Sequence, residues 1–120
     1  MEKLEGDVLK YVINPAYAHA AGKTVGKLHR AGLVHGDLTT SNMIWKDGRV
    51  YLLDFGLSQM TEEIEPRGVD LHVLFQTLES TTETPDVLRA AFIDGYCDSF
   101  KGAEAVLERE HEIELRGRYL

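Results

Sequence analysis

Cysteine is nearly absent from this sequence: Cys97 is the only one in 120 residues. A lone thiol cannot close an internal disulfide, which suits a reducing compartment or an ordinary buried thiol. The five histidines fall without metal-ligand spacing, so the pattern suggests no zinc centre. Long apolar runs are missing too. None approaches the ~18 residues of a membrane span, and Met1 is followed by charge instead of a signal-type stretch. Positive charge is scarce, with 13 Lys and Arg against 20 Asp and Glu and a net charge of −7. On electrostatic grounds the body of the chain is not a nucleic-acid binder. Repeats, low-complexity tracts and linkers are absent as well, so the expectation is one domain at most, cytoplasmic and without a membrane contact.

The residues that are present read as a mostly helical α+β fold with a small hairpin. Asn14-Pro15 has the form of an N-cap followed by proline at the first helical position. Tyr17, Ala21, Val25 and Leu28 then lie on one helical face, and Gly32 is a suitable stop. Met43-Ile44-Trp45 and Val50-Tyr51-Leu52-Leu53 read as strands joined by a turn at Asp47-Gly48. Leu71, Leu74, Phe75 and Leu78 mark another helix beyond Asp70. Thr84-Pro85-Asp86 opens a third, with Leu88, Ala91, Phe92 and Tyr96 inside, and residues 101–114 make a fourth. Glu62, Glu63 and Glu65 read as a solvated loop. His19, His29, His72 and His111 read as surface or packing residues.

Two stretches stand out against this frame: VHGDLTTSNMIW over residues 34–45, and LLDFGLS over residues 52–58. They set His35, Asp37, Asn42 and Asp54 among apolar residues, where an unpaired polar group costs about 1–3 kcal/mol. Taken singly, each has a plainer reading: Asp37 a turn former, Asn42 a helix cap, Asp54 the end of a strand. Together they flank the hairpin, and a hairpin brings its two ends side by side. Two carboxylates and an amide oxygen are hard oxygen donors suited to Mg²⁺. A carboxylate left off the metal could accept or orient a hydroxyl proton. Those are the parts of phosphoryl transfer, where positioning and charge neutralisation carry most of the catalysis.

His35-Gly36-Asp37-Leu38 with Asn42 resembles the protein-kinase catalytic loop, and Asp54-Phe55-Gly56 resembles the metal-binding DFG. The resemblance implies Asp37 as catalytic base, Asn42 and Asp54 as Mg²⁺ ligands, ATP as phosphoryl donor, and His35 as a brace for the loop. Val69-Asp70-Leu71 is similar to the start of the central helix of the large kinase lobe. There, Asp70 would bond catalytic-loop backbone. Gly36 stands where kinases switched on by loop phosphorylation carry an arginine, which makes that switch improbable here. Sixteen steps separate Asp54 from Asp70, too few for an ordinary peptide-docking segment.

His-Gly-Asp is shared with aminoglycoside and choline phosphotransferases, so a small-molecule kinase is the rival reading. HGDLTTSNM, LLDFGLS, Gly68-Val69-Asp70-Leu71 and Glu114-Leu115-Arg116-Gly117-Arg118 together resemble the kinase subunit of the KEOPS complex, the PRPK family. This resemblance implies an atypical serine/threonine kinase and ATPase. It would work beside the KEOPS synthase subunit in making threonylcarbamoyladenosine, and would meet tRNA indirectly through the complex. Arg116 and Arg118, in a tail over residues 112–120, would reach the active-site side or the RNA. The tail ends Tyr119-Leu120 where further basic residues are usual.

Residues 1–6 resemble the hinge between kinase lobes. Backbone around Glu2 and Leu4 would then bond adenine, with Asp7 as a ribose contact. Residues 37–54 hold the catalytic loop, hairpin and DFG. The glycine-rich loop and its lysine belong upstream, so the expectation is a large lobe with its N-terminal lobe missing. A non-catalytic module docking on KEOPS partners is therefore a second alternative.

Overall fold

The computed structural model describes residues 6–119, and side chains as far as residue 117. Strand β1 (Asp7–Val8) leads into the single turn α1 (Leu9–Val12) and the long helix α2 (Pro15–Arg30). Strand β2 (Leu33–Val34) and a 3₁₀ turn (Thr40–Asn42) precede the hairpin β3 (Met43–Lys46) and β4 (Arg49–Leu52). Strand β5 (Gln59–Met60) and helices α3 (Ile64–Thr81), α4 (Pro85–Ser99) and α5 (Ala103–Tyr119) complete the order. Strands β1, β3 and β4 form one antiparallel sheet, and β2 pairs with β5 in a second.

Local chemistry accounts for the main boundaries. The Asn14 side-chain oxygen accepts from the Tyr17 N–H at 2.9 Å, and Pro15 supplies the preset φ of a first helical residue. Helix α2 ends where Gly32 adopts φ +86, the left-handed conformation that closes a helix. Asp47 and Gly48 both take positive φ, 51 and 77, as a two-residue turn matched to strand twist requires.

Two boundaries and one helix face differ from the sequence expectation. Helix α3 starts at Ile64, so Glu65 lies in its first turn and not in a loop. Helix α5 runs on through Tyr119, so residues 112–119 are its final turns and not a separate tail. The buried face of α2 carries Ala18, Ala21, Gly22, Val25, Gly26 and His29, with Tyr17 and Leu28 at its margins. The face turns this way because α4 packs directly on the glycines. A Cβ on Gly22 would overlap the Phe92 carbonyl oxygen, and one on Gly95 would overlap the His19 carbonyl oxygen.

The core is continuous across these contacts. Val25, Leu71, Leu74, Leu78, Phe92 and Tyr96 are all buried, and Phe75 meets Phe92 edge to face at 5.8 Å. The hairpin is pinned to α2 by Tyr17, which stacks on Trp45 at 3.7 Å between ring centres. The loops entering and leaving β3–β4 are thus carried on a rigid base.

Two glycine substitutions should move stability in opposite directions. Gly22→Ala should lower it by about 1–3 kcal/mol, because the added methyl forces α4 outward. Gly117→Ala, with nothing within 4 Å of its would-be Cβ, should raise it by up to about 1 kcal/mol through helix propensity. Urea midpoints of the two variants against the parent chain measure both signs.

Candidate active site

The loop after β2 is shaped by Asp70, which α3 presents from beneath it. Asp70 is 2% exposed, and its carboxylate accepts three hydrogen bonds. The His35 N–H reaches Oδ2 at 2.8 Å, the Gly36 N–H reaches Oδ1 at 2.9 Å, and His29 Nε2 lies 2.9 Å from Oδ2. An ionised carboxylate with three donors keeps its charge underground at tolerable cost. Gly36 needs to be glycine twice over. Its φ is +92, and a Cβ would overlap the Leu57 carbonyl oxygen.

His35 is fully buried and joins the two functional segments. Its Nε2 lies 2.6 Å from the Leu53 carbonyl oxygen, which can only accept, so the proton sits on Nε2. Nδ1 is then free to accept from the Asp37 N–H at 3.1 Å. The ring also packs against Phe55, 4.9 Å between centroids. A neutral imidazole with both nitrogens engaged is a brace and has no proton-transfer capacity left.

Asn42 and Asp54 stand at the open end of the hairpin. The Leu53 N–H donates to the Asn42 carbonyl at 2.8 Å, one step beyond the last paired residues of β3 and β4. Asn42 Nδ2 donates to the Asp37 carbonyl at 2.9 Å and to Asp37 Oδ2 at 3.1 Å. Both partners are acceptors, which fixes the amide orientation and leaves Oδ1 on its other side. Asp54 is exposed and holds φ 58, a left-handed conformation that aspartate tolerates better than most residues. These oxygens, with no nitrogen or sulfur among them, are the donor set that Mg²⁺ prefers.

The stretch after Asp54 is short and tied down. Ser58 donates to the Phe55 carbonyl through its N–H at 3.0 Å and its hydroxyl at 2.6 Å. Strand β5 then pairs with β2, Leu33 opposite Met60, and the Thr61 N–H bonds the Gly32 carbonyl at 2.8 Å. Only residues 55–63 separate Asp54 from α3.

Two supporting residues lie outside the motif. His29 is fully buried, with Nδ1 2.7 Å from the Tyr96 hydroxyl. Its Nε2–H donates to Asp70, so a chain of bonds runs from the Tyr96 hydroxyl on α4 through His29 of α2 to the loop. The sequence carries one trace of this: His29 falls four residues after Val25, on the face that faces α4. Arg67 closes the chain from α3, donating to the His29 carbonyl at 2.8 Å with its guanidinium over the Phe100 ring.

The remaining sequence candidates lie elsewhere. Glu2 and Leu4 fall outside the described residues, and so does the side chain of Arg118. Asp7 is exposed on β1, opposite Trp45. The Arg116 guanidinium is held by Glu65 of α3, at 2.7 and 3.0 Å from its two carboxylate oxygens, which folds the last turns of α5 onto the start of α3. No helix among the described residues is long and apolar enough to cross a membrane.

The phosphotransferase enzyme family model matches residues 2–109. Over its full length the chain is 78% identical to a Methanocorpusculum labreanum protein named "Probable bifunctional tRNA threonylcarbamoyladenosine biosynthesis protein", of which it covers 23%. It is 44% identical over its full length to the "Probable serine/threonine-protein kinase BUD32 homolog" of Archaeoglobus fulgidus, covering 61% of that protein. Over 99% of its length it is 43% identical to the "KEOPS complex subunit Bud32" of Pyrococcus abyssi, covering 59%. The chain therefore spans under a quarter of the bifunctional relative and about three-fifths of the other two proteins.

The buried Tyr96–His29 bond has a pH signature. Burial, ahead of the opposing Arg67 charge and the reinforcing Asp70 charge, pushes the Tyr96 hydroxyl far above its ordinary pKa of 10.0. The folded state therefore holds a proton that the unfolded state releases. This contribution is complete below pH 10 and falls away as pH rises past it. Tyr96→Phe should cost about 1–3 kcal/mol at neutral pH by leaving His29 Nδ1 unpaired. It should also flatten the alkaline decline, as denaturant titrations at pH 8 and pH 11 would register.

Proposed function

The chain belongs to the phosphotransferase enzyme family, and on that footing we propose that it forms the catalytic lobe of an ATP-dependent serine/threonine kinase and ATPase of the Bud32 type. Its work is to support threonylcarbamoyladenosine formation on tRNA, in the cytoplasm, beside the synthase and other subunits of a KEOPS complex. It meets tRNA through that complex. The identity to single kinases and to bifunctional tRNA-modifying proteins over the whole chain supports this reading over a small-molecule phosphotransferase.

The observation that carries the catalytic part is the Asn42 amide, whose nitrogen is committed to Asp37. That bond turns Asn42 Oδ1 outward as an oxygen donor and restrains the Asp37 carboxylate at the same time. Asp54, one residue past the Leu53 clamp, supplies the second donor. Asn42 and Asp54 would hold Mg²⁺, which when bound neutralises charge on the nucleotide phosphates. Asp37 orients the attacking hydroxyl and accepts its proton as the oxygen bonds the γ-phosphorus and the bond from that phosphorus to the leaving ADP breaks. Asp70 and His35 keep Asp37 in place without touching the reactants. Backbone at Glu2 and Leu4 and the side chain of Asp7 complete the proposed nucleotide contacts.

The roles of the two aspartates separate by measurement in the intact protein that carries this chain. Asp37→Asn should lower ATP turnover by about 100-fold or more while sparing Mg-ATP binding. Asp54→Ala should weaken Mg-ATP binding and turnover together. Calorimetry and steady-state assays on both variants decide it. Unchanged turnover in both would favour a docking module. Turnover stimulated by amino alcohols or aminoglycosides, and not by the tRNA-modifying partners, would favour the small-molecule reading.

A further inference from the structure

The net charge of −7 hides an uneven distribution. Residues 8–53 carry six cations, Lys10, Lys23, Lys27, Arg30, Lys46 and Arg49, against only Asp37 and Asp47. The rest of the chain has seven cations and eighteen acidic residues. Within that acidic remainder the described arginines are engaged. Arg89 pairs with Glu110, Arg109 with Glu65 and Glu112, and Arg116 with Glu65, while Arg67 donates to the His29 carbonyl. Lys27, Arg30, Arg49 and Lys101 are exposed, and none of the four makes an ion pair or a side-chain hydrogen bond among the described residues.

The free cations share one surface. Lys23, Lys27 and Arg30 follow at i, i+4 and i+7 on the outer face of α2, about 10 Å from end to end. Beside the first two, an open depression of about 320 Å³ is lined by Lys23, Thr24 and Lys27 of α2 and by Gly48 and Arg49 of the hairpin. Beside the third, a second depression of about 290 Å³ is lined by Arg30 and, from the α4–α5 connection, by Lys101. Two carboxylates lie along this track: Asp47 in the turn, and Asp98 in the second depression, which Lys23 meets at 3.4 Å. None of the large apolar side chains exposed among the described residues lines either depression. Phe100, the one ring there, is half-buried beneath the Arg67 guanidinium.

We propose that this α2–hairpin track is an RNA-backbone surface, on which tRNA rests while the chain works in its complex. The proposal rests on the tRNA-modifying role proposed above and adds a direct contact to it. Cations spaced along a helix and left without partners suit a polyanion that carries a charge on every nucleotide. A protein partner calls for exposed aromatic or aliphatic anchors, which the track lacks. The end of α5 is the poorer place for RNA, because Glu65 already takes the Arg116 guanidinium within the acidic part of the molecule. The closed end of the hairpin carries the track, and its open end carries Asn42 and Asp54, about 10–13 Å away along the strands. RNA lying on the track leaves the reacting groups uncovered.

The test titrates the intact protein that carries this chain into a labelled, unmodified tRNA transcript, read by anisotropy between about 50 and 200 mM salt. Lys27→Ala, Arg30→Ala and Arg49→Ala together should weaken binding at least ~10-fold and flatten the slope of log K against log salt by about 2. Lys10→Ala, Arg109→Ala and Arg116→Ala together remove the same charge elsewhere and should leave affinity and slope near the parent's. ATP turnover without RNA should be the same in both triple variants as in the parent. The surface is overturned if the parent binds no tRNA at the lowest salt, or if the first triple variant binds as the parent does. An equal loss in both triple variants overturns it too, since net charge alone would then explain the effect. Polyglutamate that displaces tRNA at equal charge would give the track to an acidic protein, a further refutation. The kinase reading is scored separately by Asp37→Asn: lost turnover there, with tRNA affinity unmoved in the first triple variant, removes the surface and leaves that reading standing.

Discussion

The carboxylate of Asp70 is nearly sealed from water, and three donors converge on it there: one imidazole N–H and two consecutive backbone N–H groups. Left with fewer partners, such a charge would cost several kcal/mol and the loop above would have no reason to keep its shape. The segment proposed as catalytic is therefore cast around a buried carboxylate. Two backbone amides point down at Asp70, and the side chains of His35, Asp37 and Asn42 are distributed above by that anchoring.

Everything that positions Asp70 then matters to the site. Helix α3 supplies it, α2 supplies His29, and α4 supplies the Tyr96 hydroxyl behind His29. The glycine-mediated contact of α2 with α4 keeps Tyr96 within reach of that imidazole. On the other side, the Leu53 peptide links the halves of the site. Its N–H goes to Asn42 and its carbonyl to His35, so the segment bearing Asp54 cannot move without disturbing the loop bearing Asp37. Helices, hairpin and loop behave as one hydrogen-bonded unit.

Much of this was legible beforehand, for identifiable reasons. Asn14-Pro15, Gly32 and Asp47-Gly48 encode their structure locally, through side-chain capping and positive φ. Both ends of α2 and the hairpin could accordingly be read from single residues. The motif residues could be read because their spacing follows the hairpin. What escaped were relations that depend on packing between helices. The α2 face is turned toward Gly22 and Gly26 because another backbone comes close there, and an apolar pattern counts glycine as nothing. His29 looked ordinary because its partners are 41 and 67 residues away. Glu65 reads as a loop residue because its partners, Arg109 and Arg116, come from the far end of the chain.

Gly36 carries one more consequence. With its backbone left-handed and the Leu57 carbonyl occupying the space of a side chain, this position has no place for a guanidinium. A loop without that group offers no arginine at this position to grip a phosphate added nearby. If the chain works as proposed above, the loop would be governed by supply, meaning how much nucleotide is present and how many copies of the assembly are complete, as a valve answers to pressure.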